Sequence, residues 1–414
     1  MHAARLQAPP GTLDLRAGTA RRRAEIISVG RELLEAAGYE PIETPIFEAT
    51  EVFSRTVGDS TDIVQKQMFT FEDQGGRSLT LRPEGTAPVA RAYIDAGMHK
   101  DPQPVKLWYV GPFFRQERPQ KGRYRQFTQV GAEAIGSEDP SLDAEVILLL
   151  HEYLERIGAG GLRLKLSSLG NPDTRREYLE ALKSYLRAHE DVVSEDVRTR
   201  IDLNPLRAFD ANDPATKEVM ARAPVLLNRL AADDAEHFAR VREFLDDAGV
   251  PYDIDPTLVR GLDYYTRTVF EFESAMLGAQ SGIGGGGRYD LLIEQLGGQP
   301  TPGVGWAAGI ERMVLASREE SPSLPVEVFV AVDGGDPRTA FKLVTELRGK
   351  GVTAAMEQAG RSLKGQLRQA GRLGADAVAI VGPESIRVRA GGSEQEVTGV
   401  DAAVAAIEAE EDPA

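Results

Sequence analysis

The chain has 414 residues, 42% of them hydrophobic, with a formal net charge of -16 and no cysteine. That length points to two or three domains with ample apolar content for each core. The lack of cysteine excludes disulfides, thiolate nucleophiles, Cys-ligated zinc and iron–sulfur clusters; the acidic balance argues against a surface that binds nucleic acid everywhere.

The five histidines are scattered without metal-ligand spacing, so no metal site is expected. The start lacks the apolar stretch of a signal peptide, and no later run approaches a membrane span, so a cytoplasmic protein is the default. Residues 21–37 place Ile26, Leu33, Leu34 and Ala37 on one helical face, with Gly38 as the stop. Residues 41–47 read as one extended edge containing Pro45. Strands are predicted at 78–81, 105–110 and 126–135, a helix at 142–157, and 162–166 as core. This mixture suggests an antiparallel α+β core, not a doubly wound one.

From about Asn171 to Val250 the texture changes to charged-and-apolar helical segments, 174–189 and 235–248, read as an inserted helical module. The earlier pattern resumes at Thr268, where Thr268, Phe270 and Phe272 alternate against Val269 and Glu271 as a half-buried strand. The core closes over 303–317. A linker at 321–325 with two prolines then precedes strands at 326–332, 352–356 and 377–381, alternating with helices from Pro337 and Ser362. That rhythm signals a small α/β domain with a mainly parallel sheet.

Two basic islands stand out on the acidic chain. Arg115, Arg118, Lys121, Arg123 and Arg125 surround the single Glu117, and Arg361, Lys364, Arg368 and Arg372 form a run without an acid. Charge runs are usually solvated faces, yet these are the places where a phosphate backbone could settle. The first island joins two strands over 111–133, and period-two alternation puts Phe127, Gln129, Gly131 and Glu133 on one face of the second. Residues 260–272 join a cation and two phenols to a strand, a mixture suited to an anionic group beside a small polar ligand. Gly282, Gly284 and Gly287 satisfy a GxGxxG pattern, but Arg288-Tyr289-Asp290 follows and no clear βαβ unit opens there, which weighs against a dinucleotide site.

The segment 111–133 resembles motif 2 of class II aminoacyl-tRNA synthetases, and 260–272 resembles the signature of histidyl-tRNA synthetases. Residues 39–47 resemble motif 1, the proline-bearing dimer element, and 81–86 the family's amino-acid-binding turn. Residues 284–290 resemble its second histidine-specific motif and 309–312 its motif 3. The match covers nearly the whole chain and implies a class II synthetase-type antiparallel sheet catalytic core, 1–168 and 253–320. A helical insertion, 169–252, would interrupt it, and a C-terminal α/β anticodon-binding domain, 326–414, would follow. Thr128, Trp306 and a turn at 11–15 without proline depart from the family pattern.

The resemblance implies activation of L-histidine with ATP to histidyl-adenylate and pyrophosphate, then transfer to the 3′-terminal ribose of tRNA(His). A carboxylate attacks a phosphate only if fixed positive charge offsets their repulsion. Arg115 and Arg260 would be the catalytic cations at the α-phosphate. Arg312 would meet the γ-phosphate and Arg123 the triphosphate tail, with Glu117 near the adenine and Mg²⁺ carried with ATP. Glu84, Gly85 and Thr86 would meet the histidine ammonium, and Glu133 and Tyr265 the two imidazole nitrogens. Gln129, Tyr264 and Tyr289, with Arg115 and Arg260, would complete the histidine pocket. Arg118 and Gln120 would read the tRNA acceptor end, and Arg361, Lys364 and Arg368 would lie on the anticodon module. A homodimer follows from motif 1 alone. The alternative is a regulatory synthetase-like subunit of ATP phosphoribosyltransferase; such proteins typically lack the C-terminal domain, whereas this chain keeps it together with Arg260, Tyr264 and Tyr265.

Overall fold

A computed structural model describes residues 6–56, 66–258, 262–278, 281–317 and 326–411. They fall into two units, Met1–Glu320 and Ser321–Ala414. The expected catalytic cation Arg260 and the linker 321–325 lie outside the described residues.

The strands of the first unit are β1 (Glu40–Pro41), β2 (Phe47–Ala49), β3 (Phe69–Glu72), β4 (Ser78–Leu81), β5 (Val105–Phe114) and β6 (Gln126–Ile135), followed by β7 (Leu162–Ser168), β8 (Asp253–Ile254), β9 (Thr266–Ser274), β10 (Gly282–Arg288) and β11 (Gly303–Gly309). One 8-stranded sheet runs β1-β5-β6-β11-β10-β9-β7-β8. It is antiparallel except where β1 joins β5 and β8 joins β7 at its two edges. A smaller sheet runs β2-β4-β3.

Period-two alternation decides which residues meet water and which meet helices. Val130, Ala132 and Ala134 of β6, Val304, Trp306 and Ala308 of β11, and Phe270 and Phe272 of β9 all face one layer of helices. That layer comprises Ala17–Ala36, Pro140–Arg156, Ala232–Asp247 and Ile310–Ala316. It supplies Ile26, Leu34, Ile147, Leu150, Val241, Leu245 and Met313 at helical spacing. Each such large side chain contributes about 1.5–3 kcal/mol when fully removed from water. The residues between them, Gln129, Gly131 and Glu133 on β6 and Val269 and Glu271 on β9, are therefore turned to the other face.

Two expectations change here. The extended edge at 41–47 divides into β1 and β2: Ile42 still donates to the Trp108 carbonyl at 2.8 Å, but Pro45 has no N–H, and β2 pairs with β4 in the small sheet. Strand β9 buries one residue more than alternation predicts: Val269 is fully inaccessible, while Glu271 and Glu273 on the same face stay partly exposed. Val269 packs with Tyr265 and Tyr289 in a second cluster that also takes Tyr178, Leu182 and Leu186 from the helix Pro172–Ala188. The Asn171 side chain caps that helix by accepting from the Thr174 amide.

The second unit has strands β12 (Val328–Val332), β13 (Ala354–Met356), β14 (Ala377–Val381), β15 (Ile386–Ala390) and β16 (Ser393–Val397) in the order β13-β12-β14-β15-β16. The first three are parallel, as their apolar runs suggest. The antiparallel hairpin β15–β16 lies beyond the predicted strands. Its tip, Gly391-Gly392, has φ of 57° and 85°, the conformation that a two-residue hairpin turn requires and glycine adopts without strain. The helices Pro337–Gly349 and Val400–Glu411 share one core of this unit, and Leu363–Leu373 covers the other.

Candidate active site

The face of the large sheet opposite that helix layer opens into a cavity of about 500 Å³. One end is acidic and aromatic. Here the turn before the helix Thr86–Asp95 brings the Glu84 carboxylate onto the first amides of that helix, accepting from Thr86 at 2.8 Å and Ala87 at 3.0 Å. The Tyr264 hydroxyl also donates to Glu84, at 3.3 Å. Burial raises the pKa of Glu84, while these donors and the charge of Arg115 act against the rise.

Glu133 lies deeper. Its carboxylate accepts from the hydroxyls of Thr86 at 2.7 Å, Tyr109 at 3.3 Å and Tyr289 at 2.7 Å. Burial pushes its pKa up to about 8 in spite of those hydrogen bonds. The carboxylate also rests on Gly305 of β11, where any Cβ would collide with it. Neither Glu133 nor Tyr289 lines the open cavity; they form a hydrogen-bonded floor behind it.

The other end carries Arg123 and Arg312, and Arg115 lies between, interacting with Glu84 and Tyr264 as well as with Glu117 and Arg123. Arg115 donates from Nε to the Pro83 carbonyl at 2.9 Å, and its guanidinium lies 5.4 Å from the centre of the Phe127 ring. Glu117 sits between Arg115, at 3.9 Å, and Arg123, at 3.6 Å. Arg312, on the first turn of Ile310–Ala316, donates to the Gly282 carbonyl at 2.5 Å. Burial lowers the pKa of Arg115 and Arg312; the neighbouring Arg123 adds to the effect on Arg312, and Glu271 opposes it. An arginine stays charged under such shifts. Between the two ends, Gln129 Oε1 is buried without a protein partner, so the cavity wall keeps one acceptor for a ligand to satisfy.

Ten of the residues singled out in the sequence line this cavity: Glu84, Gly85, Thr86, Arg115, Glu117, Arg123, Gln129, Tyr264, Tyr265 and Arg312. Arg118 and Gln120 are exposed on the loop between β5 and β6 and do not line it. Arg361, Lys364 and Arg368 are exposed in the second unit, Arg361 paired with Glu357 and the others one turn apart on Leu363–Leu373.

Sequence reasoning missed Tyr109, Tyr124, Glu271, Glu273 and Glu311. Continuing the β9 alternation from Val269 would have found the two strand glutamates; Tyr109, inside an apolar run, carries no such signal. The glycines at 282–287 sit in a mid-sheet strand between β9 and β11, not in a strand-to-helix turn. The departures are accommodated: Thr128 accepts from Arg23 and donates its amide to Glu311, Trp306 packs on Tyr153, and the Gly11 carbonyl accepts from the Arg125 amide.

Among the described residues no helix is long and apolar enough to cross a membrane. A family model described as histidyl-tRNA synthetase matches residues 11–313. Histidine–tRNA ligase from Desulforudis audaxviator is 49% identical over 91% of this chain and 91% of its own. The structure of apo histidyl-tRNA synthetase from S. aureus matches with a TM-score of 0.79 and 36% identity, covering 98% of this chain and 100% of that one. A structure from Bacillus halodurans C described as ATP phosphoribosyltransferase regulatory subunit/histidyl-tRNA synthetase matches at 25% identity with a TM-score of 0.64, over 88% of this chain and 96% of its own. On both measures it stands below the S. aureus enzyme, so the regulatory alternative is not favoured. On the family match and the relative at 49% identity, the chain belongs to the histidyl-tRNA synthetase family.

Proposed function

We propose that this protein is a histidine–tRNA ligase, which joins L-histidine to tRNA(His) at the expense of ATP. One observation carries the reading: a single cavity is lined by Arg123 and Arg312 together, by Glu84, Tyr264 and Tyr265 together, and by Arg115 between the two groups, with Gln129 in its wall. That polarity suits a polyanion whose phosphate must meet the carboxylate of a small zwitterion.

In the first step a histidine carboxylate oxygen forms a bond to the α-phosphorus of ATP, and the bond to the β,γ-pyrophosphate breaks. The nucleophile is already ionised, so no general base is needed. Arg115, with Arg260, offsets charge on the α-phosphate; Arg123 and Arg312 hold the triphosphate and Glu117 lies near the adenine. Glu84 and Thr86, with Gly85 at the turn, receive the ammonium. Glu133, freed from the Thr86 hydroxyl, accepts from one imidazole nitrogen and Tyr265 meets the other, with Gln129, Tyr264 and Tyr289 around them.

Mg²⁺ would enter with ATP. No group of three or more side chains able to hold a metal ion occurs among the described residues; Mg²⁺ on a nucleotide keeps its waters and phosphate ligands and needs one or two protein carboxylates, for which Glu271 and Glu273 in the cavity wall are suited. In the second step the activated carbonyl passes to the terminal ribose hydroxyl of tRNA. Arg118 and Gln120 contact the acceptor end, and Arg361, Lys364 and Arg368 contact the anticodon region. The partition into a core interrupted at 169–252 and an anticodon module at 326–414 belongs to this reading, as do a homodimer and a cytoplasmic location. Exposed Phe47 and Phe71, in edge contact at 6.4 Å on the small sheet beside motif 1, support the dimer.

Amino-acid-dependent exchange of pyrophosphate into ATP, run with every standard amino acid, tests the proposal. Exchange with histidine alone is expected. Exchange with a different amino acid would refute the pocket assignment, and none with any would favour the regulatory alternative.

A further inference from the structure

Tyr264 and Tyr265 form part of the wall between two cavities, the main one and a second of about 320 Å³ bounded by the start of the helix Pro172–Ala188. Both rings are nearly fully buried. They meet edge to face at 4.9 Å, and Tyr264 also meets Tyr289 at 6.1 Å and donates to Glu84 at 3.3 Å. Rings packed this closely can keep those contacts only if the backbone that carries them holds its place.

That backbone is held by the insertion. Arg175, on the first turn of Pro172–Ala188, donates from one guanidinium nitrogen to the carbonyls of Asp263 at 3.0 Å and Tyr265 at 3.2 Å, bracketing Tyr264. A second nitrogen lies 3.8 Å from the Asp263 carboxylate, and the side chain is only 20% exposed. The start of the helix is fixed independently. One oxygen of Asp234 accepts from the Asn171 amide at 2.9 Å and the other from Arg267 Nε at 3.0 Å. Arg267, at the start of β9, has a φ of 43°, a left-handed backbone rare for a residue with a Cβ. Its amide donates to the Gly170 carbonyl at 2.9 Å, and its carbonyl accepts from the Leu169 amide at 2.7 Å. The same few residues thus lock the root of the insertion to the root of the tyrosine-bearing segment.

We infer that Arg175 is a positioning residue for amino-acid recognition: from the inserted helix it holds the backbone on either side of Tyr264, and so sets Tyr264 and Tyr265 against Glu84 and the cavity. It touches no reacting atom and acts only through the tyrosine pair. The inference rests on the assignment of that end of the cavity to histidine.

Histidine-dependent pyrophosphate exchange by the full-length wild-type chain, Arg175→Ala, Arg175→Lys, Tyr264→Phe and the Arg175→Ala/Tyr264→Phe double variant separates the possibilities. Losing a buried charged donor to two carbonyls is expected to raise KM for histidine about 10-fold or more in Arg175→Ala. KM for ATP should move less than about two-fold, as it would under loss of a contact confined to one end of the cavity. Arg175→Lys should recover part of the loss, because an ammonium keeps the charge but not the planar fork. If Arg175 acts through Tyr264, the double variant will lose less than the sum of the single losses.

Equal rises in both KM values, an unchanged KM for histidine, or strict additivity would overturn the inference. An Arg175→Lys chain that fails to fold by circular dichroism would overturn it too, showing a structural role. A wild-type chain without histidine-dependent exchange would instead remove the functional reading itself.

Discussion

Around the large sheet the first unit buries charge. Glu84, Glu133, Asp143 and Arg288 are all nearly inaccessible, each held by hydrogen bonds from different segments. In the second unit the one polar residue buried as a whole among the described residues is Gln366, and its side chain is occupied by the Val332 amide and the carbonyls of Val332 and Arg361. Its cations lie outside, Lys364, Arg368 and Arg372 at four-residue spacing along Leu363–Leu373. The contrast matches two ligand chemistries. A small zwitterion and a nucleotide must be desolvated and oriented among preorganised charges, whereas a long polyanion is held at a surface through released counterions.

Removing a buried charge partner is expected to have the largest effect. Arg288 makes a fully buried pair with Asp143, which His237 also contacts at 3.2 Å, so Arg288→Ala leaves an interior carboxylate that has lost its arginine and keeps only His237. A loss of about 3–5 kcal/mol in denaturant unfolding is expected. A loss below about 1 kcal/mol, the range of exposed pairs, would remove the distinction between the two units.

Arg115→Ala should leave the fold intact and slow histidine-dependent exchange about 10²–10³-fold, the usual cost of one electrostatic donor to a developing charge. Single-turnover adenylate formation checks it, and an unchanged rate would take Arg115 off the catalytic face.

Glu133 sharpens the comparison through pH. Its folded pKa, raised to about 8, lies above its ordinary value of 4.5. Between those values the native state binds more protons than the unfolded chain, so this group's contribution to stability is present below about pH 4.5 and is lost as pH rises through about 8. The slope is at most about 1.4 kcal/mol per pH unit for one proton. Glu133→Gln should flatten the decline of unfolding free energy between pH 5 and pH 8, and an unaltered profile would place the titration elsewhere.

The smallest effect is expected on the surface. Lys364→Ala with Arg368→Ala should weaken tRNA charging several-fold and lower the dependence of log affinity on log salt by about 1 per residue, with far less effect on exchange. Equal loss of both activities would dissolve the contrast between an interior site and an exterior one.

Much of this was legible beforehand. The alternation in 126–135 set Gln129, Gly131 and Glu133 on one face, and the structure turns that face away from the layer formed by Ala17–Ala36, Pro140–Arg156, Ala232–Asp247 and Ile310–Ala316. The apolar runs of 328–332 and 377–381 announced parallel strands. The polar hairpin at β16, Ser-Glu-Gln-Glu-Val, was not legible, because an exposed edge strand needs no apolar alternation. Nor was the burial of Val269: alternation says that it opposes Phe270, but only the helix Pro172–Ala188 and its neighbours decide whether that opposite side is wet.

The sequence by itself determined the strand and helix periods, the absence of thiol chemistry and the cations and carboxylates available, since these depend on residue type and local spacing. The tertiary structure alone decided that hydroxyls from Thr86, Tyr109 and Tyr289, on three separate segments, would close over one Glu133 carboxylate, and that Arg175 would bracket Tyr264 from the helix Pro172–Ala188. Desolvation and hydrogen-bond geometry depend on which distant segments converge, and no local spacing encodes that convergence.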